Sequence, residues 1–252
     1  MKKLLSGAMV LLAIVLCASS YGTTLEFKVK YWMPDFSADV RVDDQDIIGT
    51  TVDIDDDLGI DTDEGVVPLE LVLHFGDLFR LWFGYTALSM DGSSVINKEI
   101  TFAGETFNIN ADIDSKVELT GAEAGIEWDF FSSKNYGFGP CISGIYFEGS
   151  AEIFDNLSLI SAEGTLSTVV PAIGAFGRIG FLEEKLEISG RLMGFALEDD
   201  TYIDGVAEVK YSLLKNFGIF AGYRYMSVEV EDSDISVDAS LSGFFVGGLV
   251  SF

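Results

Sequence analysis

The residues of this chain best suited to chemistry are carboxylates. From Asp35 to Glu64 there are twelve acids against a single base, Arg41, and Asp53 to Glu64 reads DIDDDLGIDTDE. Counted as a calcium-binding loop, Asp53, Asp55 and Asp57 take positions 1, 3 and 5, Gly59 offers a carbonyl at 7, and Asp61 and Glu64 stand at 9 and 12. Oxygen ligands at alternate positions are what Ca2+ or Mg2+ needs. Two departures weigh against the match: Leu58 occupies position 6, where the sharp turn needs glycine, and no helix flanks the loop. In so acidic a stretch alternate carboxylates arise easily. The expectation is a solvated acidic loop and no cofactor, with weak Ca2+ or Mg2+ binding as the alternative.

His74 is the only histidine, and so the one side chain whose ordinary pKa suits acid–base work near neutrality. No serine stands in a recognisable nucleophile motif, and His74 lies just before a Gly76-Asp77 turn. A rim histidine hydrogen-bonded to a neighbour is the expectation, and the chain is read as no enzyme. Ten further charges lie at mid-strand positions on faces opposite apolar ones: Glu70, Arg80, Glu123, Glu127, Arg178, Glu187, Arg191, Glu208, Lys210 and Arg224. Their chemistry depends on what the strands enclose.

Composition narrows that question. Of 252 residues, 48% are hydrophobic and 22% charged, and the mean hydropathy is +0.32. A positive value suggests a membrane, yet after residue 22 no apolar run reaches the roughly 18 residues that a spanning helix needs. Residues 1–22 read as a cleaved signal peptide: Lys2 and Lys3, an apolar stretch from Leu4 to Leu16, then small residues. Residues 23–252 form one domain. Cys141 is its only cysteine, which excludes an internal disulfide. The formal net charge is −26, or −28 once Lys2 and Lys3 leave with the leader, which excludes nucleic acid as a partner.

The elements that position the charges are strands, because the apolar period is two. Leu25, Phe27, Val29, Tyr31 and Met33 alternate with Glu26, Lys28, Lys30 and Trp32. Val67 to Phe75 and Phe79 to Ala87 repeat the pattern across the Gly76-Asp77 turn, and further short turns are expected near Ser133, Glu183-Glu184 and Lys215-Asn216. The glycines around Pro140-Cys141 suggest a bulge. Four hairpins and a strand at each end make ten strands, with eight or twelve as alternatives. Longer connections are expected at 37–65, 90–115, 153–164, 198–204 and 231–235. Short turns at one rim, longer polar loops at the other and aromatics near strand ends describe an all-β, antiparallel, up-and-down transmembrane barrel. The opposite parity would place Arg191 or Arg224 in lipid at about 2–4 kcal/mol each. The ten charges therefore face the lumen, and Gly121, Gly125, Gly174 and Gly222 make room among them.

The last nine residues, Phe244 to Phe252, close the case with an apolar face at alternate positions and a terminal aromatic. This end resembles the carboxy-terminal signal of Gram-negative outer-membrane β-barrel proteins. The resemblance implies that Phe244, Val246, Val250 and Phe252 are read by the barrel-assembly machinery. It further implies residence in the cell outer membrane, against lipid and lipopolysaccharide, as a monomer. Barrel enzymes of this class use a histidine as general base, but the omptin-type protease site lies at the extracellular end, whereas His74 lies at the periplasmic rim. The expected function is a non-enzymatic structural or surface-interaction barrel with a largely occluded lumen and acidic extracellular loops. A narrow, cation-preferring, porin-like channel is the alternative.

Overall fold

The computed structural model describes residues 23–44, 47–60, 65–76, 78–133, 135–182, 185–198, 200–231 and 235–252. The leader (1–22), Asp61 and Glu64 of the acidic loop, Asp77 and the Glu183-Glu184 turn lie outside them. Ten barrel strands follow in chain order: β1 (Thr23–Val42), β2 (Leu69–Phe75), β3 (Phe79–Val95), β4 (Asp112–Trp128), β5 (Tyr136–Asp155), β6 (Ser161–Phe181), β7 (Leu186–Leu197), β8 (Asp200–Leu214), β9 (Phe217–Glu231) and β10 (Ile235–Ser251). Each pairs antiparallel with the next, and β10 pairs with β1 from Val42↔Ile235 down to Glu26↔Ser251, so the ring closes. Phe252 is tied in as well: its N–H donates to Leu25 O at 2.8 Å and its carbonyl accepts from Leu25 N–H at 3.1 Å. Closure leaves no strand edge of the ring in lipid, which a barrel requires.

Local chemistry sets the turns. Gly76 has φ +58°, a left-handed conformation that glycine adopts without steric cost. Asn216 bonds to the end of the neighbouring strand, its Nδ2 donating to Ser251 O at 2.7 Å. No bulge occurs at Pro140-Cys141. The ladder to β6 runs unbroken through Ala175↔Pro140, and pairing with β4 begins only at Cys141, so proline's missing N–H lies opposite the end of β4. The register shift falls instead between Ser212 and Leu214.

Several expected loops are strand. β3 and β4 remain paired up to Val95↔Asp112, β5 and β6 up to Phe154↔Ser161, and β7 and β8 up to Leu197↔Asp200. A strand of 20 residues such as β1, tilted about 45°, rises roughly 45 Å, while the lipid-facing apolar band of such barrels is about 25 Å tall. The wall therefore continues well beyond the membrane.

The side chains record that boundary as an inversion of phase. On the lower part of β1, Phe27, Val29, Tyr31 and Met33 point out and are 38–49% exposed, while Glu26, Lys28 and Lys30 point in. Above Met33 the outward residues are Asp35, Ser37 and Asp39, and the inward ones are buried Phe36, Ala38 and Val42. On β3 outward Phe83 and Tyr85 give way to Ser89 and Asp91, and inward Arg80 gives way to Leu88 and Met90. On β4 outward Ile126 gives way to Glu118, Lys116 and Asp114, and inward Glu127 and Glu123 to Val117 and Ile113. Below the switch lipid bathes the outside. Above it water does, so apolar side chains turn inward to escape it.

The turn between β5 and β6 stands at the outer end of this upper wall. The Asp155 carboxylate accepts from Ser158 Oγ at 2.6 Å and from Leu157 N–H at 2.8 Å. These bonds, the Ser158 hydroxyl foremost, hold its pKa below the ordinary aspartate value. A folded-state pKa below the unfolded one adds stability above the ordinary value that is lost as pH falls through the lowered one. Amide protection at Leu157 and Ser158 is expected to drop on acidification, and Asp155→Asn to abolish that pH dependence in hydrogen-exchange NMR.

Candidate functional site

The site is the barrel interior, built as a floor, an upper chamber and a roof. In the floor seven bases meet eight carboxylates. Lys28 Nζ lies 2.8 Å from Glu208 and 3.4 Å from Glu70, and Lys30 Nζ lies 3.0 Å from Glu70. Lys210 lies 3.1 Å from Glu187 and 3.4 Å from Glu26. Arg80 reaches Glu127 at 2.7 Å, and Arg178 reaches Asp129 at 3.1 Å. Arg191 lies 3.4 Å from Glu127 and 3.9 Å from Glu123. Arg224 is bidentate to Asp204, at 2.9 and 3.1 Å. Arg224 also lies 3.5 Å from Glu123. Arg224 is on β9 and Glu123 on β4, five strands apart in a ring of ten, so this contact spans the full width of the lumen.

Inward aromatics organise these cations. The Arg191 guanidinium stands 4.2 Å from the Trp82 ring centroid, Arg80 4.9 Å from Phe176, Lys28 5.0 Å from Phe220 and Lys30 5.2 Å from Phe245. Such contacts add about 0.5–2 kcal/mol each. Trp82 is anchored by its own Nε1, which donates to Glu123 Oε1 at 3.0 Å. Its ring fills the space over Gly125, where any Cβ would collide with it, and the Phe245 ring does the same over Gly222.

The upper chamber is the apolar inner face described above, and its roof comes from two connections. Between β1 and β2, Val52-Asp53 pairs with Asp39-Val40, and Ile54, Leu58 and Ile60 are buried at 1, 2 and 1% exposure. Between β3 and β4, Ile100–Phe102 and Glu105–Phe107 form a small hairpin whose Ile100, Phe102 and Phe107 are buried. In the described part of the acidic loop, two carboxylates brace the backbone. Asp53 Oδ1 accepts from the N–H groups of Asp55 and Asp56, and Asp57 Oδ2 accepts from Asp53 N–H. Asp57 also pairs with Lys98 at 2.6 Å. A cavity of about 250 Å³ runs from among the floor charges, Lys28, Glu70, Arg191 and Glu208 included, up through the chamber to Ile54 of the roof.

All ten mid-strand charges named from the sequence lie in this floor, each paired with an opposite charge. Glu26, Lys28, Lys30, Asp129 and Asp204 join these ten; parity along β1, and along β4 continued to Asp129, signals four of them. Asp204 was placed in a connection, yet it sits within β8, and its side chain is 0% exposed. His74 lies on β2 with Nε2 3.5 Å from Glu26. Phe244 and Val246 are exposed on the outward face, Phe252 is exposed at the end of the chain, and Val250 is half-buried.

No protein-family model matches the chain, and no curated protein matches it. Among solved structures it is similar to the outer membrane protease OmpT from Escherichia coli, with a TM-score of 0.60 and 8% identity over 91% of this chain and 97% of that one. Ail, the attachment invasion locus protein of Yersinia pestis, gives 0.40 and 11% over 91% and 98%. Neisserial surface protein A gives 0.34 and 12% over 92% and 97%. Closed ring and the OmpT likeness together define the class by its fold: this is a closed antiparallel β-barrel of ten strands, with the architecture of outer-membrane barrels.

The expectation of no enzyme is overturned by the same comparison, since a solved structure that shares this fold, with a TM-score of 0.60, is a protease. At 8% identity the likeness shows the fold alone. It transfers no catalytic residue, and it gives His74 no role.

Proposed function

We propose that the chain acts at the cell surface through its tall extracellular wall, on a barrel whose lumen is closed to ions. The Arg224–Glu123 contact across the whole lumen carries this reading. A hydrated ion would have to part that pair and its neighbours, and exposing one buried partner without the other is costly. The upper wall is where partners would bind. Its outward face carries Asp35, Asp39, Asp91, Glu118, Glu152 and Asp238, a negative collar suited to basic partner surfaces and divalent cations. Assembly would proceed through Phe244, Val246, Val250 and Phe252, presented to the barrel-assembly machinery, and the aromatic band would seat the monomer among lipid and lipopolysaccharide.

A narrow cation-preferring path is the second reading, favoured by the surplus of one carboxylate in the floor. Planar-bilayer recording of the refolded barrel separates the two. The expected result is no steady conductance. A steady cation-selective current would overturn the closed lumen and select the path.

A further inference from the structure

We infer that the upper chamber binds a small, neutral, apolar molecule. This goes beyond the surface role, and neither depends on the other. The cavity of about 250 Å³ is walled in its upper part by Val40, Val117, Leu119, Met226, Val237 and Leu241, is met from above by Ile54, and reaches down among the floor charges Lys28, Glu70, Arg191 and Arg224. An engineered apolar cavity of about 150 Å³ takes up benzene, so a one-ring hydrocarbon is of the size that the apolar upper part of this cavity would seat. Burying such a molecule gains about 25 cal/mol per Å² of apolar surface.

The floor decides the charge of the occupant. Arg191, Arg224 and Lys30 are each within 3.5 Å of a carboxylate. A charged head would have to displace one of these partners and leave it buried and unpaired. A neutral molecule disturbs none of them. The phase inversion has a consequence here: above the girdle the polar-lumen rule for membrane barrels gives way to a predominantly apolar lining, with the floor's ion pairs beneath it.

Methionines test this directly. Met226 lines the cavity, whereas Met33 faces lipid. The barrel is reconstituted in lipid nanodiscs with 13C-methyl methionine and titrated with benzene. The Met226 methyl resonance is expected to shift and saturate, while Met33 drifts in proportion to benzene dissolved in the lipid. Filling the cavity with Ala151→Phe should remove the saturating component at Met226. Ala239→Leu, a smaller filling change at the same cavity, serves if Ala151→Phe fails to fold. Met226 tracking Met33 without saturation would overturn the inference, as would saturation unchanged in the filled variant. Bilayer conductance leaves this result untouched, so the two readings fail separately.

Discussion

Arg224→Ala is expected to destabilise the barrel by about 3–5 kcal/mol, the cost of leaving a buried partner unpaired. Asp204 loses both of its guanidinium bonds while its side chain stays fully buried, and Glu123 loses its contact across the lumen. Lys116→Ala supplies the control. Lys116 pairs with Glu118 at 2.7 Å, but both side chains are about half exposed on the outer wall, so its loss should cost only about 0–1 kcal/mol. Urea unfolding in lipid vesicles measures both. Because the floor is a network, a double-mutant cycle with Asp204→Asn should show strong coupling. Equal, small effects for Arg224→Ala and Lys116→Ala would mean that the floor does not brace the ring.

The second large effect is a contrast along one face of β1. Val29 is outward, 38% exposed, and near the middle of the apolar band; Ser37 is on the same face and also exposed. Val29→Arg should cost about 2–4 kcal/mol, as a cation at the bilayer midplane does. Ser37→Arg should change stability by less than about 0.5 kcal/mol, as a surface substitution does, because Asp35 and Asp39 flank it in water. Similar costs at both sites would contradict the inversion of the wall.

What the sequence discloses follows from what period-two patterns can carry. Gly76 and Asn216 mark turns by residue type, and the unbroken alternation on β1, β3 and β4 makes ten strands countable. The lumen charges are legible for the same reason, since parity places Arg191 and Arg224 away from lipid. Strand length is not legible by that rule. Phe36, Ala38, Val40 and Val42 continue the alternation of β1 with the opposite phase, and Leu88 and Met90 do so on β3. A pattern followed in one phase ends where the membrane ends, so the upper wall reads as loop. Asp204 keeps the inward phase of Glu208 and Lys210 and is missed for a simpler reason, that the expected connection 198–204 runs through it. The roof is hidden for a different reason: Ile54, Leu58 and Ile60 are spaced among carboxylates that signal solvent, and only the folded path of the connection reveals that they point inward. The cavity is a product of that path and of the lengths of both neighbouring strands.

The central claim is that one wall serves two solvents, and a nitroxide scan along the outward face of β1 tests it most directly. Single cysteines in a Cys141→Ser background would carry the label at Phe27, Val29, Tyr31, Met33, Asp35, Ser37 and Asp39 in nanodiscs. Relaxation by oxygen should peak near Val29, and relaxation by a water-soluble nickel reagent should take over from Asp35 upward. Nickel access at Val29, or oxygen-dominated relaxation persisting to Asp39, would contradict the inverted wall and the membrane boundary drawn from it.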